Sequence, residues 1–427
     1  MTWKIKQPKG RIRYKISRQY DVTLAEVSNA WKCVRKAGGA CGYDKQTIKD
    51  FEKDLDNQIY KIWNRMSSGS YMATPVLLVK IPKAKGGFRQ LGIPTVSSRV
   101  AQTVIKNRLE PILEEKFHED SFAYRPNKSA IAAVKVCRER CFRHEWLLEI
   151  DIKGFFDNLN HNILMNMLEN HTDDKLTLLY SRRFLKCSGI DNQEIEITRE
   201  KGATQGGVVS PILSNLYLHE AFDKWILDKF PGMRFERYAD DIVVHCVSEK
   251  QAYFMKNRIE DRLSLYKLEL NAGKTRVVYT GAKGNDKRKH SLSRKFTFLG
   301  YDFKPRNWLG EIVFTPGIST GALKKIRNQI KEEWRLKSRI SESLSDIAKE
   351  VDSKIRGWIE YYGHYRRSDL YRLSYMIDNY LAGFIKKKSK TNNTWSKAWK
   401  RLNQIKAEHP KAFSHWHKIS LSKRRAV

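Results

Sequence analysis

Three carboxylates stand where folding alone gives no reason for them. Asp151 ends the apolar run WLLEID and opens a glycine-containing turn, DIKGFFD. Asp240 and Asp241 sit side by side at the tip of a hairpin whose arms, FERY and IVVHC, are partly apolar. Adjacent like charges at such a tip repel and need a positive partner. Divalent cations meet that need: two Mg²⁺ ions held by aspartates clamp the attacking and leaving oxygens of a phosphoryl displacement. A solvated Asp-Asp turn is also common, so YADD by itself leaves both readings open.

The surrounding elements must place these acids. WLLEID (146–151) reads as a short strand, and RFERYADDIVVHC as strand, tight turn, strand. Upstream, residues 24 to about 66 read as two helices, the first ending at the glycines of KAGGACGYD. Residues 75–94, VLLVKIP and FRQLGIP around a KAKGG turn, read as a β-hairpin, and helices follow over 97–117 and 129–143. PILSNLYLHEAFDKWILDKF is a helix that Ser210 caps and Pro211 opens. Asp157 reads as the cap of a helix starting near Asn158, and Asp44 as structural. His161 reads as a hydrogen-bonded histidine. His415 and His417, with no nearby Cys or acid in the sequence, do not suggest a metal site. From about Thr315 to Lys390 the chain reads as helical, rich in basic residues and aromatics.

With 427 residues, 41% hydrophobic and 11% aromatic, the chain can bury a sizeable core in about three domains. Wholesale disorder is excluded. Lys and Arg number 81 against 47 acids, a net charge of +34, which calls for a polyanion, most commonly nucleic acid. Residues 1–20 carry seven of these cations and no acid; residues 382–427 carry thirteen against one Glu. Six cysteines without a CxxC pair argue against a disulfide scaffold or a zinc ribbon. No apolar run approaches the roughly 18 residues of a membrane span, and the basic N-terminus lacks a signal-peptide core. The expected place is the reducing cytoplasm, on the nucleoid when bound to DNA.

Asp151, ATQGGVVSP (203–211), RYADD (237–241), LNAGKT (270–275) and FLGY (298–301) follow one another as in reverse transcriptases. More narrowly, the chain resembles bacterial group II intron-encoded reverse transcriptase/maturases. GGFRQLGIPTVSSRVAQ, DIKGFFDNLNH, QGGVVSPILSNLYLHEAFD and GWIEYYGHYRRSDLY carry the likeness across nearly the whole length. The resemblance implies an α+β right-hand polymerase. Its basic arm and fingers would span 1–145, an antiparallel palm 146–305, a helical thumb or maturase domain 306–390, and a basic DNA-binding tail 391–427.

It also implies roles. Asp151, Asp240 and Asp241 would be catalytic, holding two Mg²⁺ (Mn²⁺ able to substitute) together with Ile152. Arg89 would grip the incoming triphosphate, with Lys83 as companion. Gly154 and Phe155 would offer backbone amides to the phosphates, and Phe156 would exclude a ribose 2′-hydroxyl, implying DNA synthesis; one of the two rings is expected in the core. Gln205 would contact the nucleotide, while Lys274 would protonate the leaving pyrophosphate or stand as a surface lysine. Nucleic-acid contacts would come from Arg125, Tyr238, Gly300, Arg356, Arg366, Arg367, Lys386, Lys387, Lys388, Lys400 and Arg401. In GWIEYYGHYRR, Trp358 and Tyr361 or Tyr362 are expected to be largely core. Trp395, Trp399 and Trp416 match the family's DNA-binding region.

The implied partners are an RNA template, above all a structured group II intron RNA whose splicing and retrohoming the protein assists, a DNA primer or target, and dNTPs; no membrane is implied. Departures from the family pattern are Lys45 in GYDK, where Gly is usual, Ala123 in FAYRP, usually FGFRP, and Thr204, usually Pro. No Cys/His nuclease cluster follows FSHWHKIS, so a mobile intron would take its primer elsewhere, such as a replication fork. Two other readings stand beside this one. One is a domesticated relative copying a small partner RNA in phage defence or DNA repair. The other is a non-catalytic RNA-splicing chaperone, which the intact acids disfavour.

Overall fold

The computed structural model describes residues 19–82, 86–281, 293–308, 311–389 and 391–420. Lys83, the arm before residue 19 and the chain beyond 420 lie outside the described residues. The chain begins with α1 (Leu24–Ala37), α2 (Ile48–Lys53) and α3 (Leu55–Ser67), then the hairpin β1 (Val76–Pro82) and β2 (Phe88–Ile93). Next come α4 (Val96–Glu114), α5 (Ala130–Cys141), β3 (Trp146–Asp151), α6 (Phe155–Asn158), α7 (His161–Glu169) and α8 (Lys175–Leu185). The short strands β4 (Gly189–Ile190) and β5 (Glu196–Ile197) precede α9 (Ser210–Leu218), a π-helical turn (His219–Asp223) and α10 (Lys224–Lys229). After β6 (Arg234–Tyr238), β7 (Asp241–Cys246), α11 (Glu249–Leu265) and β8 (Arg276–Tyr279) come β9 (Phe296–Phe298), β10 (Tyr301–Trp308) and β11 (Glu311–Ile318). Five helices close the described chain: α12 (Thr320–Glu333), α13 (Leu344–Tyr362), α14 (Arg367–Lys388), α15 (Trp395–Glu408) and α16 (Ser414–Ser420).

Local chemistry accounts for most of these boundaries. Thr23, Thr47 and Ser343 each form a capping box with the acid three residues on, Glu26, Asp50 and Asp346, satisfying backbone amides at the helix starts. Leu299 and Gly300 both have positive φ, +50° and +82°, which makes the two-residue turn between β9 and β10 of the primed type that hairpins favour.

Other expectations change. Residues 311–318, expected in part as helix, form β11, which pairs antiparallel with β10 along its whole length. Ser210 is the first residue of α9 rather than its cap, and no side chain caps this helix; the Gln102 side chain instead holds the residues just before it, accepting from the amides of Val208 and Val209. Asp157 lies inside α6, and Asn160 caps α7 instead, accepting from Ile163 at 3.0 Å. Lys45 has φ +57°, so it adopts the left-handed conformation that explains a glycine preference at this position.

The described residues divide into two compact units. The first comprises 19–129, 150–244 and 253–276. Its core includes Val27, Ala30, Trp31 and Val34 of α1 and Val100, Val104, Leu109 and Leu113 of α4, and it carries the sheet β2-β1-β4-β5. A sheet ordered β6-β7-β3-β8 bears the acids. The second unit comprises 130–149, 245–252 and 277–420, and includes the sheet β11-β10-β9. Its main core stacks Ile347, Val351, Ile355 and Ile359, one helical turn apart on α13, against Leu373, Ile377 and Leu381 of α14. Leu402, Phe413 and Trp416 belong to the same core, so its packing includes α15 and α16.

An acid does lie beside His415 after all. Asp378 on α14 accepts from Trp416 Nε1 at 2.7 Å, pairs with His415 Nε2 at 2.8 Å, and meets Lys406 Nζ at 3.0 Å. Burial holds His415 below its ordinary range against the pull of Asp378 and Asp352. Asp378 also sits low despite its burial, because His415, Lys406 and Trp416 favour its charged form. A buried base held low takes up a proton on unfolding once the pH falls below about 6.5, and a carboxylate held low does so below about 4. The packing of α15 and α16 should therefore be complete above that first value and weaken as the pH falls. Thermal unfolding followed by Trp fluorescence should show this loss, and His415→Gln should flatten it between about pH 7 and 5. An unchanged slope in that variant would place the pH dependence elsewhere.

Candidate active site

Asp151 reaches its place on a strand that buries Trp146, Leu147, Leu148 and Ile150. The stretch after it is laced to residues 269–271: Asn271 N donates to Asp151 O at 2.8 Å and Lys153 N to Glu269 O at 2.9 Å. Ile152 faces Leu270 between those two bonds, the non-hydrogen-bonded position of an antiparallel pair, so its own carbonyl points away from that segment. The Asp151 carboxylate accepts from Asn271 Nδ2 at 2.9 Å on Oδ2 and from Lys274 Nζ at 2.6 Å on Oδ1. One short segment thus holds Asp151 by backbone and by both carboxylate oxygens.

Asp240 depends on a different device. Ala239 and Asp240 form a two-residue turn between β6 and β7, with φ +55° at Ala239, a left-handed conformation costly for a residue with a Cβ. Directly before it, Arg237 is wholly buried and pairs with the wholly buried Asp223, Nε to Oδ1 at 2.7 Å and Nη2 to Oδ2 at 2.5 Å. Its Nη1 reaches Asn215 Oδ1 at 3.1 Å, and Asn215 Nδ2 donates to Ala123 O at 2.7 Å. Backbone bonds complete the tie: Arg237 N to Asp120 O and Phe122 N to Arg237 O, both 2.9 Å. Asp223 stays below the usual carboxylate range despite its burial, through Arg237 and His219. Asp240 behaves oppositely. Burial raises it, as does the charge of Asp151, while its own backbone amide, Arg89 and Lys274 oppose the rise.

Arg89, on β2 opposite Ile81, therefore joins Asp151, Asp240 and Lys274 in one electrostatic group. Asp241 follows as the first, exposed residue of β7. Gly154, at φ +55°, turns the chain into α6. Phe155 is the core ring of the pair, and Phe156 is half-buried with its ring edge-on to it at 5.5 Å. Gln205 Nε2 lies 3.4 Å from Asp157 Oδ1, and its carbonyl accepts from Gly92 N at 2.8 Å. At Gly206, φ is +110° and a Cβ would fall 2.6 Å from the Gly92 carbonyl, so only glycine lets this loop close on β2. His161 Nε2 meets the Gly202 carbonyl at 2.7 Å, while its Nδ1 is buried with no hydrogen-bond partner among the described residues.

The expected nucleic-acid residues fare unevenly. Arg125 is a structural tie: its side chain is buried, doubly bonded to Glu114, and donates to the carbonyls of His118 and Ser121. Tyr238 is half-buried at the end of β6. Gly300 keeps its turn tight against Tyr362, whose hydroxyl would lie 3.0 Å from an added Cβ. Arg356 and Arg367 are exposed, and Arg366 leans on Asp369 at 3.7 Å. Trp358 stacks on Trp334, while Tyr361, Tyr362 and Tyr365 gather around Tyr301, so these rings face inward rather than to a ligand. Lys387 and Lys388 reach back to the carbonyls of Lys337 and Glu342, and Lys400 and Arg401 are exposed.

Sequence reasoning missed three residues. Asn271 lay in a quoted motif from which only Lys274 was singled out. Arg237 carried a signal, a charge in the middle of a half-apolar strand. Tyr124 follows Ala123 in FAYRP and takes φ +59°, with its backbone neighbours fixed by Asn215 and Arg237. Partial burial and the charge of Asp240 raise its hydroxyl's pKa, and Arg89 opposes this, so the phenol belongs to the same electrostatic group.

Removing one partner of a buried ion pair costs about 3–5 kcal/mol, whereas an apolar replacement of both costs far less. Asp223→Leu and Arg237→Met should each destabilise the first unit by that amount in denaturant unfolding, and the double variant by less than either. Additive losses would show that the two charges do not depend on each other.

A family model described as reverse transcriptase (RNA-dependent DNA polymerase) matches residues 81–303, more than half of the chain. A second, the group II intron maturase-specific domain, matches residues 323–402. Protein YkfC of Escherichia coli is 32% identical over 306 residues, covering 62% of this chain and 75% of that protein. The group II intron-encoded protein LtrA of Lactococcus lactis is 34% identical over 183 residues, 43% of this chain and 30% of its own length. Among solved structures, a telomerase from Candida albicans in complex with a fragment of telomeric RNA aligns with 89% of this chain and 69% of its own, at TM-score 0.44 and 15% identity. No helix of the described residues is long and apolar enough to cross a membrane. The match over 81–303, adjoining a maturase-specific stretch, places the chain in a family: it belongs to the reverse transcriptases, the RNA-directed DNA polymerases, of the kind that carry a group II intron maturase domain.

Proposed function

We propose that this protein extends a DNA primer on an RNA template and binds a group II intron RNA whose splicing and retrohoming it assists. The carrying observation is the convergence of Asp151 and Asp240, with Arg89 and Lys274 partly balancing their charge. Reverse transcriptases use a divalent metal, and the donor set here fits one: carboxylate oxygens of Asp151, Asp240 and Asp241 and the Ile152 carbonyl are hard ligands, and the Asp240 charge is disfavoured without a cation. Two Mg²⁺ ions bound there would neutralise the charge that develops on the attacking and leaving oxygens.

The chain's own groups do the positioning. Arg89 holds the triphosphate from the β1–β2 hairpin, and the α6 amides of Gly154 and Phe155 face its phosphates. Gln205, kept in place by Asp157 and by the bond from Gly92 to its carbonyl, borders the nucleotide. Phe156 closes the space at the sugar's 2′ position. Lys274, half exposed on a flexible stem, is able to leave Asp151 and donate its proton to the departing pyrophosphate. In this reading the β1–β2 hairpin belongs to the fingers, the acid-bearing sheet to the palm, and α12–α14 to the thumb. Exposed Lys400 and Arg401 supply phosphate contacts for the nucleic acid.

Asp240→Ala combined with Asp241→Ala should reduce primer extension on RNA to background while intron RNA binding persists; retained synthesis would overturn the assignment. Phe156→Ala should raise ribonucleotide incorporation about 10–200-fold relative to dNTPs in single-nucleotide extension, the range for deleting apolar bulk from a selective pocket. Unchanged discrimination would move the sugar filter elsewhere.

A further inference from the structure

We propose that α14 and α15 together present a stacking surface for the unpaired bases of RNA. Tyr371 and Tyr375 lie one helical turn apart on α14, and Tyr375 is 65% exposed. From α15, Trp399 lies parallel to Tyr375, with centroids 5.5 Å apart and planes 15° from each other. Trp395, one turn earlier on α15 and 47% exposed, rests its ring edge against Gly383, where an added Cβ would come within 3.3 Å. The Lys386 ammonium stands 5.1 Å over that ring. Rings on α13 turn inward to Tyr301 and Trp334; Tyr371, Tyr375 and Trp395 are exposed, and Trp399 is partly buried beneath them, packed on the core.

The charge around them selects the occupant. Between residues 366 and 407 the sequence holds eleven Lys and Arg and only two acids, Asp369 and Asp378. Both acids are buried and point inward, Asp369 to the Ile318 amide and Asp378 to His415 and Trp416. Glu408, at the C-terminal end of α15, is the one exposed acid of these helices, and against eleven Lys and Arg it leaves an outer face that favours a polyanion. Phosphates alone would need only the cations. Flat rings add affinity only where bases expose their own faces, which a duplex does not allow.

All four rings fall within residues 323–402, the stretch that matches the maturase-specific domain, so the inference rests on the intron-RNA reading and commits to RNA. It moves Trp395 and Trp399 from a separate DNA-binding tail to a surface shared with α14. Trp416, packed in the core, takes no part.

The test measures binding of the full chain to a fluorescent unstructured RNA oligonucleotide, to DNA of the same sequence and to a blunt RNA duplex, across a salt series. Tyr375→Ala should weaken the unstructured RNA about tenfold while leaving its salt dependence and duplex binding unchanged, and Tyr375→Phe should restore affinity. Trp395→Ala gives an independent second loss, with thermal unfolding as the folding control. Equal losses on single strand and duplex, or no loss in either variant, would overturn the stacking surface. A larger loss on DNA than on RNA would overturn its assignment to RNA. These oligonucleotide affinities remain readable even if the wild-type protein neither extends primers nor binds intron RNA, so failure of the proposed function shows separately.

Discussion

The buried pair between Arg237 and Asp223 is the constraint on which the acidic site rests. A charge taken wholly out of water is tolerated only beside an opposite charge with matched hydrogen bonds, and this pair has both, in fork geometry. The requirement reaches outward. Asp223 arrives through the π-helical turn that separates α9 from α10, and Asn215 on α9 fills a further guanidinium donor while holding the Ala123 carbonyl. The end of β6 is thus fixed on two sides before the chain makes its left-handed turn at Ala239. Strain at Ala239 and Tyr124 persists because the neighbouring bonds over-determine the backbone.

Asp151 is held by different means, and the contrast bears on function. Its partners come from one short motif, LNAGKT, whose backbone and side chains surround it. Asp240 lies where burial and Asp151 both oppose its ionised form. Two acids forced together, with Arg89 and Lys274 close enough to respond, make a site that is electrostatically unfinished without added positive charge. Such a site favours ligands that bring cations and phosphates at once.

The second unit handles its aromatic residues in two ways. Tyr301 draws Tyr361, Tyr362 and Tyr365 into a cluster beneath the Leu299–Gly300 turn, where the Tyr361 hydroxyl also meets the Leu299 carbonyl at 2.7 Å. Tyr371, Tyr375 and Trp395 of α14 and α15 lie instead on the basic face, while Phe384 and Trp399 of the same helices pack on the core. Both groups look alike in sequence, an aromatic among arginines and lysines, and only the neighbour across the helix decides which way each ring turns.

Much of the site was legible without coordinates. An acid closing an apolar strand, an acid pair at a two-residue turn and an arginine beside a glycine turn each follow from side-chain chemistry and period-two alternation. Helix starts at Thr23 and Thr47 follow from local capping. These features are determined within a few residues, so the sequence by itself decided them. Tertiary structure alone decided the rest. Arg125 looked like a free cation until Glu114 met it, the segment before Ser210 is held by Gln102 from a distant helix, and His415 found Asp378 across 37 positions. Asn271 and Lys274 reach Asp151 across 120 and 123 positions. A charge or a ring carries no local mark of its partner, because the free energy that fixes it is realised only when packing excludes water between them.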